Sequence, residues 1–117
     1  MKTPIIKYND NFLNKISIFI KVGGITLYPF IILRQKYREK VIIKIHESIH
    51  IKQQEELLVL PFYLLYIIEW VIKSIMYLSF KKGYYNISFE REAYSNEKSK
   101  SYLNRRKRYA WVNRIIS

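Results

Sequence analysis

The 117-residue chain has no cysteine, only two histidines, and nine acidic residues against twenty-one lysines and arginines. Without cysteine, disulfides, iron–sulfur clusters and thiolate metal sites are excluded, so histidine and carboxylate alone can supply protein ligands to a metal. The opening residues, Met1 to Asp10, lack the continuous apolar core and small-residue cleavage site of a secretory signal, and a cytoplasmic or inner-membrane location is expected. No internal repeat or low-complexity segment is present. Half of the residues are hydrophobic. That suffices for one core, while the length is too short for two ordinary domains, so residues 1–117 are expected to form one.

The formal charge of +12 fits an anionic partner, either nucleic acid or an anionic membrane surface. The densest basic run, Arg105-Arg106-Lys107-Arg108, lies beside Tyr109 and Trp111, which could stack bases. Such a run is more often a solvated helix face, so nucleic acid is not the expected partner.

Both histidines fall in His46-Glu47-Ser48-Ile49-His50, an HExxH pattern. Residues four apart on a helix sit about 40° from each other and one turn up, so both imidazoles can reach one ion. Glu47 lies roughly 100° round from His46, where it can serve as general base to a zinc-activated water rather than as a ligand. The expected cofactor is one zinc ion. The pattern resembles the zinc signature of metallopeptidases, whose sites take three protein ligands and an open position, so one more carboxylate is required.

The organisation of the chain predicts an α+β domain. Ile16, Ile18, Ile20 and Val22 alternate with polar or outward positions, Gly23-Gly24 supplies a two-residue turn, and Ile25 to Leu33 is β-like. Together they predict an N-terminal β-hairpin over residues 16–33, with Pro29 confining its second run to an edge or forcing a bulge. The free edge, at Ile25, Leu27, Tyr28 and Ile31, could pair with an extended peptide. Three helices follow. The first, over 38–60, carries the histidines beside a stripe of Ile42, Ile45 and Ile49. The second, over 61–80, starts at Pro61 and is closed by Lys81-Lys82-Gly83. It is nearly long and apolar enough to span a membrane but carries Glu69 and Lys73, which suits a buried or interfacial helix as well. The last, over 87–113, runs from Ser88 through Phe89-Glu90-Arg91-Glu92-Ala93-Tyr94 into the basic tail.

Two glutamates could complete the zinc site. No Gly and His follow His50 closely, unlike the metzincin pattern. Glu69 follows His50 after eighteen intervening residues, a spacing that resembles the thermolysin and one-zinc aminopeptidase families. Glu90-Arg91-Glu92-Ala93 resembles the ExxA helix of gluzincins related to the CAAX prenyl proteases and the HtpX heat-shock proteases. In that family the first glutamate of the motif is the ligand, which maps to Glu90, with Glu69 as the alternative. The resemblance covers about residues 16 to 108 and includes the order of elements: edge strand, HExxH helix, hydrophobic helix, glutamate helix. The family's Asp after the Ala is replaced by Tyr94, so a carboxylate to orient a ligating histidine must come from elsewhere, with Glu92, Asn96 and Glu97 nearest.

The resemblance implies a zinc metalloendopeptidase acting on a peptide or protein, with Glu47 catalytic. Tyr94, Tyr102, Arg105 and Tyr109 are the candidate oxyanion stabilisers. The rival readings are a degenerate, membrane-associated scaffold and a basic nucleic-acid-binding module.

Overall fold

In the computed structural model, which describes residues 4–17 and 23–115, the chain is α+β: a small three-stranded sheet followed by helices. Strand β1 (Ile5–Tyr8) leads into helix α1 (Asp10–Ile16), and β2 (Gly24–Leu27) and β3 (Phe30–Leu33) form a hairpin. The order is β1-β3-β2, with β3 central, parallel to β1 and antiparallel to β2. Asn9 caps α1 by accepting the Phe12 N–H at 3.0 Å, and Leu13 anchors the helix in the core.

The hairpin differs from the one predicted over 16–33. Ile16 ends α1, residues 18–22 lie outside the described residues, and the turn falls at Tyr28-Pro29, whose peptide bond is cis. The reason is Pro29. Lacking an N–H, it would interrupt a ladder running from Ile25 to Leu33; in the turn it splits that run into two strands pairing Leu27 with Phe30 and Gly24 with Leu33. Gly24 is a strand residue packed so closely on the Leu33 side chain that a Cβ would collide.

Helix α2 (Val41–Leu57) is the centre of the molecule. Ile51 packs with Ile31 and Leu33 of the sheet, while Ile45 and Ile49 pack with Ala93 and Tyr102 on the opposite side. A two-residue link, Leu58 and Val59 at φ 59° and 53°, joins it to α3 (Leu60–Tyr77), with Pro61 in the first turn as expected. Positive φ at a β-branched residue costs on the order of 1–3 kcal/mol, which the packing around Val59 must offset.

The second helix was expected to close at Gly83, but it stops earlier. Leu78 adopts the left-handed conformation, and the Ser79 side chain accepts the Lys82 N–H at 3.1 Å to start a short helix α4 (Phe80–Tyr85) that folds back on α3. Gly83 lies inside α4, where a Cβ would strike the Ser74 backbone; its role is close helix approach rather than termination. Helix α5 (Ser88–Asn96) covers the first part of the glutamate helix and basic tail expected over 87–113. After it come α6 (Tyr102–Arg105) and a 3₁₀ turn over Ala110–Arg114, separated by Tyr109 at φ 60°. A second core layer of Phe62, Ile87, Phe89 and Trp111 binds α3 to this C-terminal region.

Candidate metal centre

Helix α2 presents His46 and His50 one turn apart toward α5, as the four-residue spacing requires, and α5 returns Glu90 against both. Glu90 Oε1 lies 2.9 Å from His46 Nε2 and 3.1 Å from His50 Nε2. All three residues are buried, and their ligand atoms lie within 4.8 Å of one another. Ala93, fully buried one turn beyond Glu90, packs on Ile45 and Ile49 and lets α5 approach α2 this closely.

Each group is held from behind. Glu97 Oε1 accepts the His46 Nδ1–H at 2.8 Å, and Gln53 Oε1 accepts the His50 Nδ1–H at 2.7 Å. The Gln53 amide is fixed in turn, donating to the Phe89 carbonyl at 3.0 Å and to Glu92 Oε1 at 2.9 Å. The second Glu90 oxygen accepts from the Tyr66 hydroxyl at 2.5 Å. With both Nδ1 atoms donating outward, both Nε2 atoms face the same Glu90 oxygen; without a metal they pair with that carboxylate, and deprotonated they are the two atoms that would ligate an ion. Two imidazole nitrogens and one carboxylate oxygen converge here as a group that could hold a metal ion.

Electrostatics reflect the convergence. Burial works to lower the His46 pKa, but hydrogen bonds to Glu90 and Glu97 and the charges of Glu90 and Glu47 raise it to about 10. His50 is raised against burial chiefly by the Glu90 charge. Burial would raise Glu90, yet the two imidazoles hold it well below the usual carboxylate range.

Glu47 borders this group, 3.9 Å from His46 Nε2. Its Oε1 accepts from the Thr26 hydroxyl at 2.8 Å, and that hydroxyl also lies 3.1 Å from the Glu47 carbonyl, so β2 fixes both the helix and the carboxylate.

Glu69, the alternative third ligand, is engaged elsewhere. Its carboxylate accepts from the Ser88 N–H at 2.7 Å and the Ser88 hydroxyl at 2.6 Å, fastening α3 to the start of α5. Of the four expected oxyanion stabilisers, Tyr94 alone is seen in contact with a histidine of the group, its ring 4.3 Å from that of His46 and its hydroxyl 2.9 Å from the Tyr84 hydroxyl. Tyr102 donates to Glu92 at 2.7 Å, Arg105 lies over the Tyr102 ring and donates to Ser99, and Tyr109 packs near Trp111.

The expected peptide edge is also revised. Ile25 and Leu27 lie on the edge strand β2, and Tyr28 in the turn that follows it, but Ile31 is on the central strand, paired on both sides. Part of β2 is covered: Gln54 and Tyr63 donate to the Thr26 carbonyl at 3.0 and 2.8 Å, and the Tyr28 N–H donates to Gln54 at 3.1 Å.

The basic run is partly structural. The Arg106 residue is partly buried, with its side chain covered, bidentate to Glu56 at 2.9 and 3.1 Å and bonded to both Glu92 oxygens at 2.5 and 3.0 Å. Arg105, Lys107 and Arg108 are on the surface.

Sequence reasoning missed Thr26, Gln53 and Tyr66. Gln53 was within reach, three residues after His50 on the same helix face. Thr26 and Tyr66 come from separate elements, and nothing local marks them. No protein-family model, no curated protein and no solved structure matches this chain.

Proposed function

We propose that the chain is a zinc-dependent metallopeptidase of gluzincin type, with His46, His50 and Glu90 as ligands and Glu47 as general base. The observation that carries this reading is the approach of both Nε2 atoms to one Glu90 oxygen, with Glu47 held beside them by Thr26. The donor set suits zinc, which takes imidazole and carboxylate readily in a site with an open position. Zinc so bound supplies Lewis acidity toward a peptide carbonyl and lowers the pKa of a water to about 7.

The protein's own part follows from the residues. Glu47 takes the proton of the attacking water on its carboxylate and returns it to the leaving amine. Thr26 keeps that carboxylate aimed, at the cost of one of its acceptor sites. An extended substrate pairs with β2 toward its Gly24 end, because the Thr26 carbonyl and Tyr28 N–H are already engaged. Tyr94, on the exposed side of His46, is the best placed of the tyrosines to donate to a developing oxyanion.

The test is metal analysis beside peptide cleavage. Wild type should carry one zinc, His46→Ala, His50→Ala and Glu90→Gln should lose it, and Glu47→Gln should keep it while losing hydrolysis. Undiminished zinc in the histidine variants would defeat the reading; normal turnover by Glu47→Gln would remove the general base.

A further inference from the structure

Helix α3 is inside out for a helix on a water-exposed surface. At 100° per residue, every α3 side chain bearing nitrogen or oxygen falls in one half of its circumference, about 180°. That half faces the body. Glu69 bonds Ser88, Lys73 donates to the Ile115 carbonyl at 3.0 Å, Tyr66 to Glu90 and Trp70 to the Phe80 carbonyl at 2.9 Å. The other half is wholly apolar and uncovered: Leu60 is 77% exposed, Leu64 62%, Val71 51% and Ile75 68%. The stripe continues past the helix at both ends, through Leu58 at 78% and Leu78 at 91%. Over 18 residues it runs about 27 Å. Soluble monomers rarely expose an apolar patch of this continuity.

We propose that α3 lies flat in the interface of an anionic lipid bilayer, its apolar half among the acyl chains and the exposed Lys81 and Lys82, just beyond Leu78, at the headgroups. Charge selects this occupant over a second copy of the chain. Each copy carries +12, so self-association through this face works against repulsion, whereas an anionic surface attracts the same charge. Exposed Phe80, between the stripe and the lysines, adds an aromatic side chain of the kind favoured at that depth. A spanning orientation is disfavoured because the polar half of α3 is fastened to elements carrying exposed charge, which would have to enter the hydrocarbon. The proposal does not rest on the metal reading.

The experiment is co-sedimentation of the full chain with phosphatidylcholine vesicles, with and without phosphatidylglycerol. Binding should be strong to the mixed vesicles, weak to pure phosphatidylcholine, and reduced by salt. Leu64→Glu with Ile68→Glu should lower partitioning by about tenfold or more, with an unchanged circular dichroism spectrum and melting point, since both side chains are exposed. Lys81→Glu with Lys82→Glu should weaken the preference for the anionic vesicles and its salt dependence while the apolar face is untouched; an unchanged preference would remove these lysines from the headgroup contact. Failure to bind either vesicle would overturn the proposal, as would a lipid-free dimer that the Leu64/Ile68 double variant dissociates. Resistance to alkaline extraction would overturn the flat orientation in favour of a span.

Discussion

The Glu97 carboxylate accepts the His46 Nδ1–H at 2.8 Å from the end of α5, supplying from a later position the oriented carboxylate that Tyr94 cannot. Its oxygen fixes both the ring orientation and the nitrogen left facing the site. Glu97→Gln should therefore weaken zinc binding by about 10–100-fold without unfolding the chain. Competition against a chelator measures this directly; unchanged affinity would show that the contact orients nothing of consequence.

Arg106 joins α2 to α5 by gripping Glu56 and Glu92 at once, its side chain 4% exposed and that of Glu92 only 1%. Arg106→Ala leaves a buried carboxylate without its partner, a change that costs about 3–5 kcal/mol. Urea unfolding should show this loss, and Glu92→Gln in the Arg106→Ala background should recover part of it. A loss below 1 kcal/mol would mean that water replaces the guanidinium.

Without a metal ion the His46, His50 and Glu90 group carries a pH dependence. In the metal-free chain burial works to lower the His46 pKa, but the Glu90, Glu97 and Glu47 carboxylates raise it from 6.5 to about 10. A raised pKa means that the folded state holds its proton more tightly than the unfolded one, so the contribution is complete below pH 6.5 and is lost as pH rises through about 10. Urea midpoints of chelator-treated protein should fall across that interval. Glu90→Gln, which removes one of the three carboxylates, should flatten the decline.

Tyr66 donates to the Glu90 oxygen that does not face the histidines and so holds the carboxylate from its other side. Tyr66→Phe keeps the ring packed on Phe62 and Phe89 and deletes only that bond. Zinc affinity should fall by about tenfold, consistent with losing one hydrogen bond to a charged group, while thermal stability changes little. Equal affinity in the two proteins would indicate that Glu90 is oriented by the histidines alone.

The parts of this molecule that could be read from sequence are those written in short-range spacing. His46 and His50 share a helix face whatever surrounds them, and Glu90 lies in a four-residue pattern with Ala93. The α+β order and Pro61 at the start of α3 were legible for the same reason. The hairpin turn was not, because Gly23-Gly24 and Pro29 offered competing signals and only pairing across the sheet decides between them. Glu97 is one of three residues the sequence offers in place of the missing Asp, and packing selects it, whereas Thr26 and Tyr66 reach the site from β2 and α3, so their roles depend on how those elements pack on α2 and α5. The exposure of α3 was hidden as well, since an apolar helix has the same composition whether it is buried or bare.

Glu69 was weighed as a ligand on distance along the chain, and it is instead the anchor that starts α5 two residues before Glu90. An assay of metal content on Glu69→Gln would therefore report loss, just as a ligand substitution does, because α5 would tilt and carry Glu90 with it. The two causes separate in a double-mutant cycle with Ser88→Ala: a shared anchor gives a coupled, non-additive loss, while a true ligand would act independently of Ser88. The same anchor ties the apolar helix to the ligand helix, so a force that repositions α3, such as contact with a bilayer, reaches Glu90 by two routes from that helix, through Glu69 by way of Ser88 and directly through the Tyr66 hydroxyl.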